Sequence, residues 1–472
     1  MKQFLYLLTF LQVSILSAQI TEITPADLAG LNSFGFFIDM NGDDMVISAN
    51  IAELVPGATG SLYHYTYDGT DWQLNQQILP ELPEDENSTG FGSTSSIAGD
   101  WIVTTTTSTD FLGAIVFYRN ENGTWVRHSK INGKILDDGF GWTTAIDGST
   151  AVVSAIVESN QAGEKTGAAY VYEYNDSSDI WEEVQILIPS EVRENYFFGS
   201  DIYLKDDLLA VSARRDGENG FDSGAVYVFE RDQGLWALTS KLLPDDSDEG
   251  DFIGYRVEGD GDRLIMSGYG ADNNTGSTYI FRKGTEWTQE AKLEADDIQE
   301  GAWFGSSIAI EGNRAIVGAR TQDGQNGAVY VFENENGVWI QGRKFETPNG
   351  AVEGRFGAGL DYENGRLVIG APRNDDFKGA AFSFTFEDLV SIKETTDIPL
   401  SIYPNPTTNS INLNLENTQV SQLEIYNNSG IRVGTYEGSK SVLDVSQLSE
   451  GPYVVKGVMD NTSIEIGRFI KI

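Results

Sequence analysis

A Phe-Gly pair that returns at a nearly constant interval is the feature of this 472-residue sequence that most constrains its fold. Successive copies lie about 54 residues apart, and a regular period of this length is typical of repeat architectures. The copies are Phe34-Gly35, Phe91-Gly92, Phe140-Gly141, Phe198-Gly199, Phe304-Gly305 and Phe356-Gly357, with a one-residue variant at Phe252-Ile253-Gly254. The sequence therefore predicts one structural unit used seven times.

Each unit contains four short apolar runs separated by turn residues. In the sixth unit, residues 306–310 alternate in polarity, residues 311–313 form a turn, and residues 314–319 make a second run. A third run follows at residues 327–332, and an Asn/Gly turn separates it from a fourth run led by Trp339. Short alternating runs joined by tight turns predict β-hairpins, and no part of the repeats keeps a helical period. Each unit therefore predicts a four-stranded antiparallel meander.

The two ends of the repeat region indicate how the units are arranged. The seventh unit stops after residues 380–384 without its Trp-led strand, whereas a spare strand-like segment, Ile20 to Thr24, precedes the first Phe-Gly pair. That segment can complete the last unit only if the units close into a ring, as in a β-propeller and unlike a solenoid. We therefore predict an all-β protein in which residues 19–388 form a seven-bladed β-propeller of four-stranded antiparallel blades, closed by the N-terminal strand.

The repeats resemble the FG-GAP repeat family, the propeller of integrin α-subunits and of many bacterial surface proteins. The Phe-Gly pairs and Gly370-Ala371-Pro372 carry the resemblance, which covers roughly residues 20–388. Integrin-type members bind calcium in a long acidic loop between the first two strands, but the corresponding connections here are short hairpin turns. The resemblance therefore implies the fold and not the calcium function. No cofactor or metal ligand is assigned, and a weak calcium site is left open around Asp260 and Asp262.

The first residues predict an export signal. Lys2 is followed by the mostly apolar residues 4–16 and then by small residues up to Ala18, which is the pattern of a secretory signal peptide. The apolar stretch is shorter than the roughly 20 residues that a membrane-spanning helix needs. We therefore predict that residues 1–18 are a signal peptide and that the protein is not transmembrane.

The C-terminal segment departs from the repeat. Residues 389–397 predict a polar linker, and the short alternating runs of residues 398–472 predict a small Ig-like β-sandwich. This segment resembles the type A C-terminal sorting domain of the type IX secretion system of Bacteroidetes. The motif positions are Tyr403, Pro404, Asn405, Pro406, Gly451, Tyr453 and Lys471. The resemblance implies the type IX secretion machinery as a partner and a location, reached via the periplasm, outside the cell or on the outer-membrane surface. An ordinary Ig-like adhesion module is the alternative.

Charge and composition exclude several kinds of partner and site. Lys and Arg total 31 against 71 Asp and Glu, so the formal net charge is −40. Nucleic acids are bound through basic faces, so a nucleic-acid partner is not expected. The chain has no Cys and two His, which excludes disulfides, thiolate metal sites and cysteine nucleophiles.

Function is expected on the face of the propeller where the longer loops meet, because binding residues are concentrated in loops held by a rigid scaffold. The candidate ligand face consists of aromatic residues in or beside these loops: Trp303, Tyr269, Phe221 and Phe377. Arginine is scarce in these loops, with Arg214, Arg215 and Arg373 the main examples. We predict a secreted or cell-surface binding or adhesion protein that is monomeric and recognises an extracellular glycan or protein.

Two other function classes remain open. No catalytic motif is present and no catalytic residue is assigned, so we predict that the protein is not an enzyme. The alternative is an extracellular polysaccharide-active enzyme of the glycosidase type, with two carboxylates about 5–9.5 Å apart on the same face. A passive structural component of the cell surface is the third class, and it predicts no pocket.

Overall fold

The alternating runs of the sequence form β-strands throughout the chain. The computed structural model describes residues 21–25, 28, 32–52, 59–81, 88–108, 113–160, 162–188, 193–348, 353–385, 402–403, 407–413, 422–427, 432–438, 440–449, 451–459 and 462–472. The predicted signal peptide and linker lie outside the described residues, as do Pro404, Asn405 and Pro406. Contacts between residues divide the chain into two units, residues 1–388 and residues 389–472.

Seven antiparallel sheets make up the first unit, one for each repeat, so the predicted all-β propeller of seven four-stranded blades is confirmed. The strands, by blade, are β2 (Phe34–Asn41), β3 (Asp44–Ala49), β4 (Ser61–Tyr67) and β5 (Trp72–Ile78); β6 (Ser88–Thr89), β7 (Ser95–Ala98), β8 (Trp101–Ser108), β9 (Gly113–Glu121) and β10 (Thr124–Asn132); β11 (Phe140–Asp147), β12 (Thr150–Ala155), β13 (Ala168–Asn175) and β14 (Ile180–Leu187); β15 (Phe198–Lys205), β16 (Leu208–Ala213), β17 (Ala225–Asp232) and β18 (Leu235–Leu242); β19 (Arg256–Asp260), β20 (Arg263–Gly268), β21 (Ser277–Lys283) and β22 (Trp287–Leu293); β23 (Phe304–Glu311), β24 (Arg314–Ala319), β25 (Ala328–Glu335) and β26 (Val338–Glu346); β27 (Gly359–Glu363), β28 (Arg366–Ala371) and β29 (Ala380–Thr385), beside β1 (Thr21–Glu22). The two-residue β6 pairs with β8 as an addition to the second blade. Short helical turns precede the third strands of blades 5, 6 and 7: α1 (Ala271–Asn274), α2 (Gln322–Gln325) and α3 (Asn374–Phe377).

The innermost strands of the seven blades form a closed ring. Each of them contacts the innermost strand of the next blade, and β27 of the seventh blade contacts β2 of the first. Together they surround a central channel of about 460 Å³. Because a ring has no terminal blade, every sheet has a neighbour on both faces.

The seventh blade takes its outermost strand from the other end of the chain. Strand β1 pairs antiparallel with β29, with Thr21 opposite Ser383. The backbone N–H of Ile23 donates to the carbonyl oxygen of Ala381 (3.0 Å), and the Tyr65 hydroxyl of the first blade donates to the carbonyl oxygen of Ile23 (2.8 Å). This short segment therefore links the last blade to the first.

Packing within each blade and backbone contacts between blades explain why the Phe-Gly pairs recur. The backbone of Phe91, for example, bridges Gly60 of the preceding blade. The Phe side chain is buried against an aromatic residue of the third strand of its own blade, as Phe304 is against Tyr330 with ring centroids 5.7 Å apart. In the variant copy, Ile253 occupies the Phe position and is buried, while Phe252 precedes it and projects elsewhere. The altered copy thus keeps the packing position and places an additional ring outside the core.

The second unit contains two sheets. One is three-stranded, with the order β30 (Ile402–Tyr403), β31 (Ser410–Leu413) and β34 (Val442–Asp444). The other is four-stranded, with the order β33 (Arg432–Glu437), β32 (Gln422–Asn427), β35 (Gly451–Met459) and β36 (Thr462–Lys471). Buried residues from both sheets, including Ile411, Leu423 and Val455, form one core. This arrangement agrees with the predicted small Ig-like sandwich.

Candidate functional site

Two sets of connections meet at one end of the propeller, which we call the top face. They are the loops between the second and third strands of each blade and the loops that lead from each blade to the next. The residue after each Phe-Gly pair lies where the innermost strand begins, beside the mouth of the channel, and it is aromatic at Phe36, Trp142 and Tyr255. Phe36 and Trp142 are 39% and 47% exposed, so ring surface is available at this mouth.

The acidic hairpin turns at the opposite end join neighbouring blades. The backbone N–H of Gly312 donates to Asp260 Oδ2 (2.6 Å), and Asp262 forms an ion pair with Arg282 (2.8 Å). Asp260 and Asp262 therefore have different protein partners. These are the two residues around which the sequence left a weak calcium site possible. In the part of the chain that the structure describes, no three His, Asp or Glu side chains are grouped so that they could hold a metal ion.

Carboxylates line the channel below the top face. The backbone N–H of Ile97 donates to Asp39 Oδ2 (2.6 Å), and the N–H of Met40 donates to Asp361 Oδ2 (2.7 Å), so each carboxylate joins two blades. Burial raises the pKa of Asp39 to about 7. Burial and the nearby charge of Asp39 raise the pKa of Asp361 well above its usual range, and burial does the same to Glu258, which faces the channel.

Because the pKa values of these buried carboxyl groups are raised, we expect the free energy of unfolding of the propeller to fall as the pH rises. The folded protein keeps a proton on Asp39 up to about pH 7, whereas an unfolded chain loses it near pH 3.8. The resulting stabilisation is therefore complete below pH 3.8 and is lost as the pH rises toward 7 and above. We expect Asp39→Asn to remove about 2–4 kcal/mol of the pH-dependent change in unfolding free energy between pH 4 and pH 8. Urea titrations of the original protein and of Asp39→Asn between pH 4 and pH 8 measure the unfolding free energies. If the free energies of the two proteins change with pH in the same way, the prediction is wrong.

Two of the four predicted ligand-face residues lie together in a stack of planar groups. The Tyr269 ring stacks on Trp303 with centroids 5.0 Å apart, and Phe252 stacks on the other side of Tyr269 at 4.8 Å. The guanidinium carbon of Arg320 lies 4.2 Å from the centroid of the Trp303 ring. The faces of Tyr269 and Trp303 are therefore occupied by protein groups, and these two residues position Arg320 on the top face.

The other two predicted residues do not join this stack. Phe221 is 70% exposed in the loop between the second and third strands of blade 4. Phe377 is 42% exposed at the end of α3 in blade 7, and the guanidinium carbon of Arg373 lies 5.0 Å from its ring centroid. The four aromatic residues therefore do not form one continuous platform.

Arginine side chains from four consecutive blades lie together on the top face. Arg214 lies between Trp142 and Phe197, with its guanidinium carbon 5.5 and 5.7 Å from the two ring centroids. Arg355 and Arg373 donate to the same acceptor, Gln325 Oε1, each over 3.4 Å. We define the arginine cluster as Arg214, Arg215, Arg256, Arg320, Arg355 and Arg373.

Most of this cluster lacks a carboxylate partner. Arg215 forms a two-pronged ion pair with Asp222 (2.9 Å for both hydrogen bonds), and Arg256 lies 3.5 Å from Asp201. The remaining four guanidiniums, those of Arg214, Arg320, Arg355 and Arg373, have no described carboxylate within 4.0 Å. Several arginines elsewhere on the propeller are paired, as Arg263 is with Glu290 (2.8 Å). The cluster is thus a basic part of a face whose loops also carry exposed carboxylates such as Asp245, Asp246 and Glu300, in a chain with a net charge of −40.

The pKa shifts within the cluster agree with this lack of compensation. Burial, and after it the positive charges of Arg215 and Arg256, lower the pKa of Arg214. Burial and the charges of Arg256 and Arg373 lower the pKa of Arg320, although Tyr255 partly opposes this shift. Burial and the charges of Arg373 and Arg320 lower the pKa of Arg355. The cluster therefore contains like charges held close together and partly removed from water.

Only part of this cluster was predictable from the sequence. Arg214, Arg215 and Arg373 were predicted in the top-face loops, where arginine is scarce, whereas Arg256, Arg320 and Arg355 were not predicted. One signal was available, because Arg occurs within two residues of the end of the second strand in three repeats, as Ala213-Arg214-Arg215, Ala319-Arg320 and Ala371-Pro372-Arg373. Aligning the repeats would place these side chains at equivalent or adjacent positions around the ring.

In the C-terminal unit, the motif residues lie within strands of the sandwich. Tyr453 is buried in the core and its hydroxyl donates to the carbonyl oxygen of Ser449 (2.9 Å). Gly451 begins β35, and the backbone of Tyr403 pairs with that of Asn412. Lys471 is buried at the end of β36, and its backbone pairs with Thr407. Tyr403, Gly451 and Lys471 therefore belong to the strand pairing of this unit, and Tyr453 to its core.

Comparisons with known proteins bear on both units. The FG-GAP repeat family matches residues 136–172, 181–229, 236–281 and 287–332, and the secretion system C-terminal sorting domain matches residues 401–471. No curated protein matches the chain. Among solved structures, the crystal structure of Saccharomyces cerevisiae Sqt1 is 8% identical, with a TM-score of 0.41, over 93% of this chain and 96% of that one.

The C-terminal sorting domain establishes where the protein goes. It directs export through the type IX secretion system to the cell surface or the medium, and it addresses the secretion machinery. The helices among the described residues are all too short to span a bilayer. The top face therefore meets extracellular molecules.

Proposed function

We propose that this exported FG-GAP repeat propeller is a binding protein that recognises an extracellular ligand at the arginine cluster and acts as a monomer. The observation that carries the proposal is the group of four guanidiniums without carboxylate partners, placed beside exposed rings on one face. Uncompensated like charges destabilise a folded protein, and features of this kind are characteristic of functional sites. A ligand with hydrogen-bond acceptors or negative charge would relieve this repulsion.

An array of glycans and extracellular proteins tests the binding function. The exported chain, labelled at low stoichiometry, is applied with and without calcium, and we expect specific spots that are the same in both conditions. Trp142→Ala removes a ring that is 47% exposed beside Arg214, and we expect it to weaken binding about tenfold. Val338→Ala, at a residue 60% exposed on an outermost strand, is the control and should bind normally. An array without signal in either condition would contradict the proposal.

The monomeric state has its own support and test. Among the described residues of the propeller, β1 covers the outer side of β29 and each innermost strand has a neighbour on both sides, so the ring has no missing blade to recruit from a second copy. Sedimentation analysis should give one species with the mass of the exported chain over a hundredfold range of concentration. A mass that rises to that of a dimer within this range would overturn the monomer.

A polysaccharide-cleaving enzyme is the second candidate, because the channel carboxylates Asp39 and Asp361 have raised pKa values and a raised pKa suits a general acid. Both carboxylates already accept backbone hydrogen bonds from the next blade, which favours a structural role. Release of reducing ends from the polysaccharides bound on the array distinguishes the two functions. Turnover that disappears in Asp361→Asn, with binding retained, would favour the enzyme.

A further inference from the structure

The arginine cluster coincides with a row of unfavourable backbone conformations. The residue before each Phe-Gly position has a positive φ in all seven blades: Ser33 (+54°), Gly90 (+63°), Gly139 (+72°), Phe197 (+57°), Phe252 (+55°), Trp303 (+56°) and Arg355 (+56°). Left-handed backbone disfavours residues with a Cβ and is found mostly with small or flexible residues. Blades 1–3 follow this preference, whereas blades 4–7 carry large side chains there.

The same four blades supply every member of the arginine cluster. Phe197 packs against Arg214 and Arg215, Trp303 stacks on Arg320, and Arg355 is itself a member. Left-handed conformations of bulky residues tend to be retained where they orient a functional group. The strained positions of blades 4–7 therefore position the guanidiniums, which separates this half of the top face from blades 1–3.

Several donors of the cluster have no partner. The Nε atoms of Arg320 and Arg355 are buried and make no hydrogen bond with the described residues. Each guanidinium presents five N–H donors in a planar fork that matches an oxyanion with two acceptor oxygens. The contacts that Arg355 and Arg373 do make are long, 3.4 Å to one shared amide oxygen. The cluster therefore has hydrogen-bonding capacity that the described residues leave unused.

We propose that the arginine cluster binds the carboxylate groups of an acidic polysaccharide, a polymer of uronic-acid type. This inference rests on the binding function proposed above and specifies the class of its ligand. Paired guanidiniums take a carboxylate in two-pronged geometry. The exposed rings of Trp142 and Phe36 at the mouth of the channel supply flat apolar surface for the sugar rings between successive carboxylates.

The charge of the protein narrows the choice among anions. With a net charge of −40, the chain repels dense polyanions at long range, although salt screens this repulsion beyond about 8 Å at physiological ionic strength. A uronate polymer carries one charge for each ring and offers an apolar ring face between charges. An acidic peptide provides carboxylates on flexible side chains without a rigid ring beside each one, which suits the exposed Trp142 less well.

Titration calorimetry of the exported chain with defined oligomers tests the inference. The probes are a hexamer of galacturonic acid, the same hexamer as its methyl ester, a sulfated galactan hexamer and a glutamate hexapeptide. We expect the free acid to bind at least tenfold more tightly than each of the other three probes. Binding of the ester with equal affinity would show that the carboxylates are not recognised, and preference for the sulfated oligomer or the peptide would assign the site to another ligand.

Variants connect the binding to the cluster. We expect Arg320→Gln with Arg355→Gln to weaken binding of the free acid about fiftyfold and Arg320→Lys, which keeps the charge but loses the planar fork, to weaken it about fivefold. Arg343→Gln, which removes an exposed arginine from the outermost strand of blade 6, is the matched control and should leave the affinity unchanged. Arg214→Gln, on the opposite side of the cluster, provides the same test if the double variant is poorly folded by tryptophan fluorescence.

The outcomes separate this inference from the proposed function. If the array yields a ligand whose binding does not depend on Arg320 and Arg355, the protein is a binding protein but the ligand class assigned here is wrong. If neither the array nor the oligomers bind, both proposals fail. Equal losses in Arg343→Gln and in the double variant would show a general charge effect and would overturn the site.

Discussion

Replacing Gly327 by Ala is expected to destabilise the propeller by about 4–6 kcal/mol, although the substitution adds a single methyl group. Gly327 precedes the third strand of blade 6 and bridges Phe356 of blade 7. A Cβ added there would lie 2.6 Å from the backbone nitrogen of Phe356 and closer still to its carbonyl oxygen. Neither atom belongs to a flexible side chain, so the two blades would have to move apart and expose part of the buried Phe356 ring.

Gly337 provides a matched control. Its φ is nearly the same as that of Gly327, +89° against +86°, but a Cβ there would meet no atom within 4 Å. We expect Gly337→Ala to cost about 1 kcal/mol, which is the strain of the left-handed backbone alone. Urea unfolding followed by tryptophan fluorescence measures both, because all nine Trp lie in the propeller. Equal losses of unfolding free energy would contradict a role for the blade contact.

The sequence predicted the propeller because its period repeats seven times and each copy carries the same packing residues. The Phe-Gly pairs and the Trp-led strands recur because every blade meets its neighbours in the same way, so one local pattern determined a global arrangement. The variant copy was harder to interpret, because its Phe252 lies one residue earlier than the Phe of the other copies. The contact of Ile253 with Gly224 shows that Ile253 takes the buried position of that Phe.

The site was less predictable because it depends on ring closure and on side-chain orientation. Arg214 and Arg373 are 159 positions apart in the sequence, and only the ring brings the loops of blades 4–7 to one face. Composition was misleading here, because a net charge of −40 suggests an acidic surface everywhere. Trp303 and Tyr269 were predicted as ligand-face aromatics, but a sequence does not show that their ring faces are covered by each other and by Arg320.

The second large effect is expected where the chain ends meet. Ile23→Pro should lower the unfolding free energy by about 3–5 kcal/mol, because it removes a strand hydrogen bond and a buried side chain in one change. The lost donor is the N–H that bonds the Ala381 carbonyl oxygen, and Ile23 packs in the core that includes Phe34 of the first blade and Val368 of the last. If β1 detaches, the hydrogen bond from the Tyr65 hydroxyl to the Ile23 carbonyl oxygen is lost and β29 becomes an open edge.

Glu22→Pro is the control for this effect. Glu22 is exposed, and successive residues of a strand direct their backbone N–H groups to opposite sides, so its N–H points away from β29. Proline is tolerated in that position of an edge strand, and we expect a change of about 1 kcal/mol or less. The open edge in Ile23→Pro should also promote association, which light scattering at increasing protein concentration detects. Unfolding of Ile23→Pro at the same urea concentration as Glu22→Pro would show that the ring stays closed without this strand. Closure would then depend on the contact of Phe34 with Gly379 and on the packing of β27 against β2.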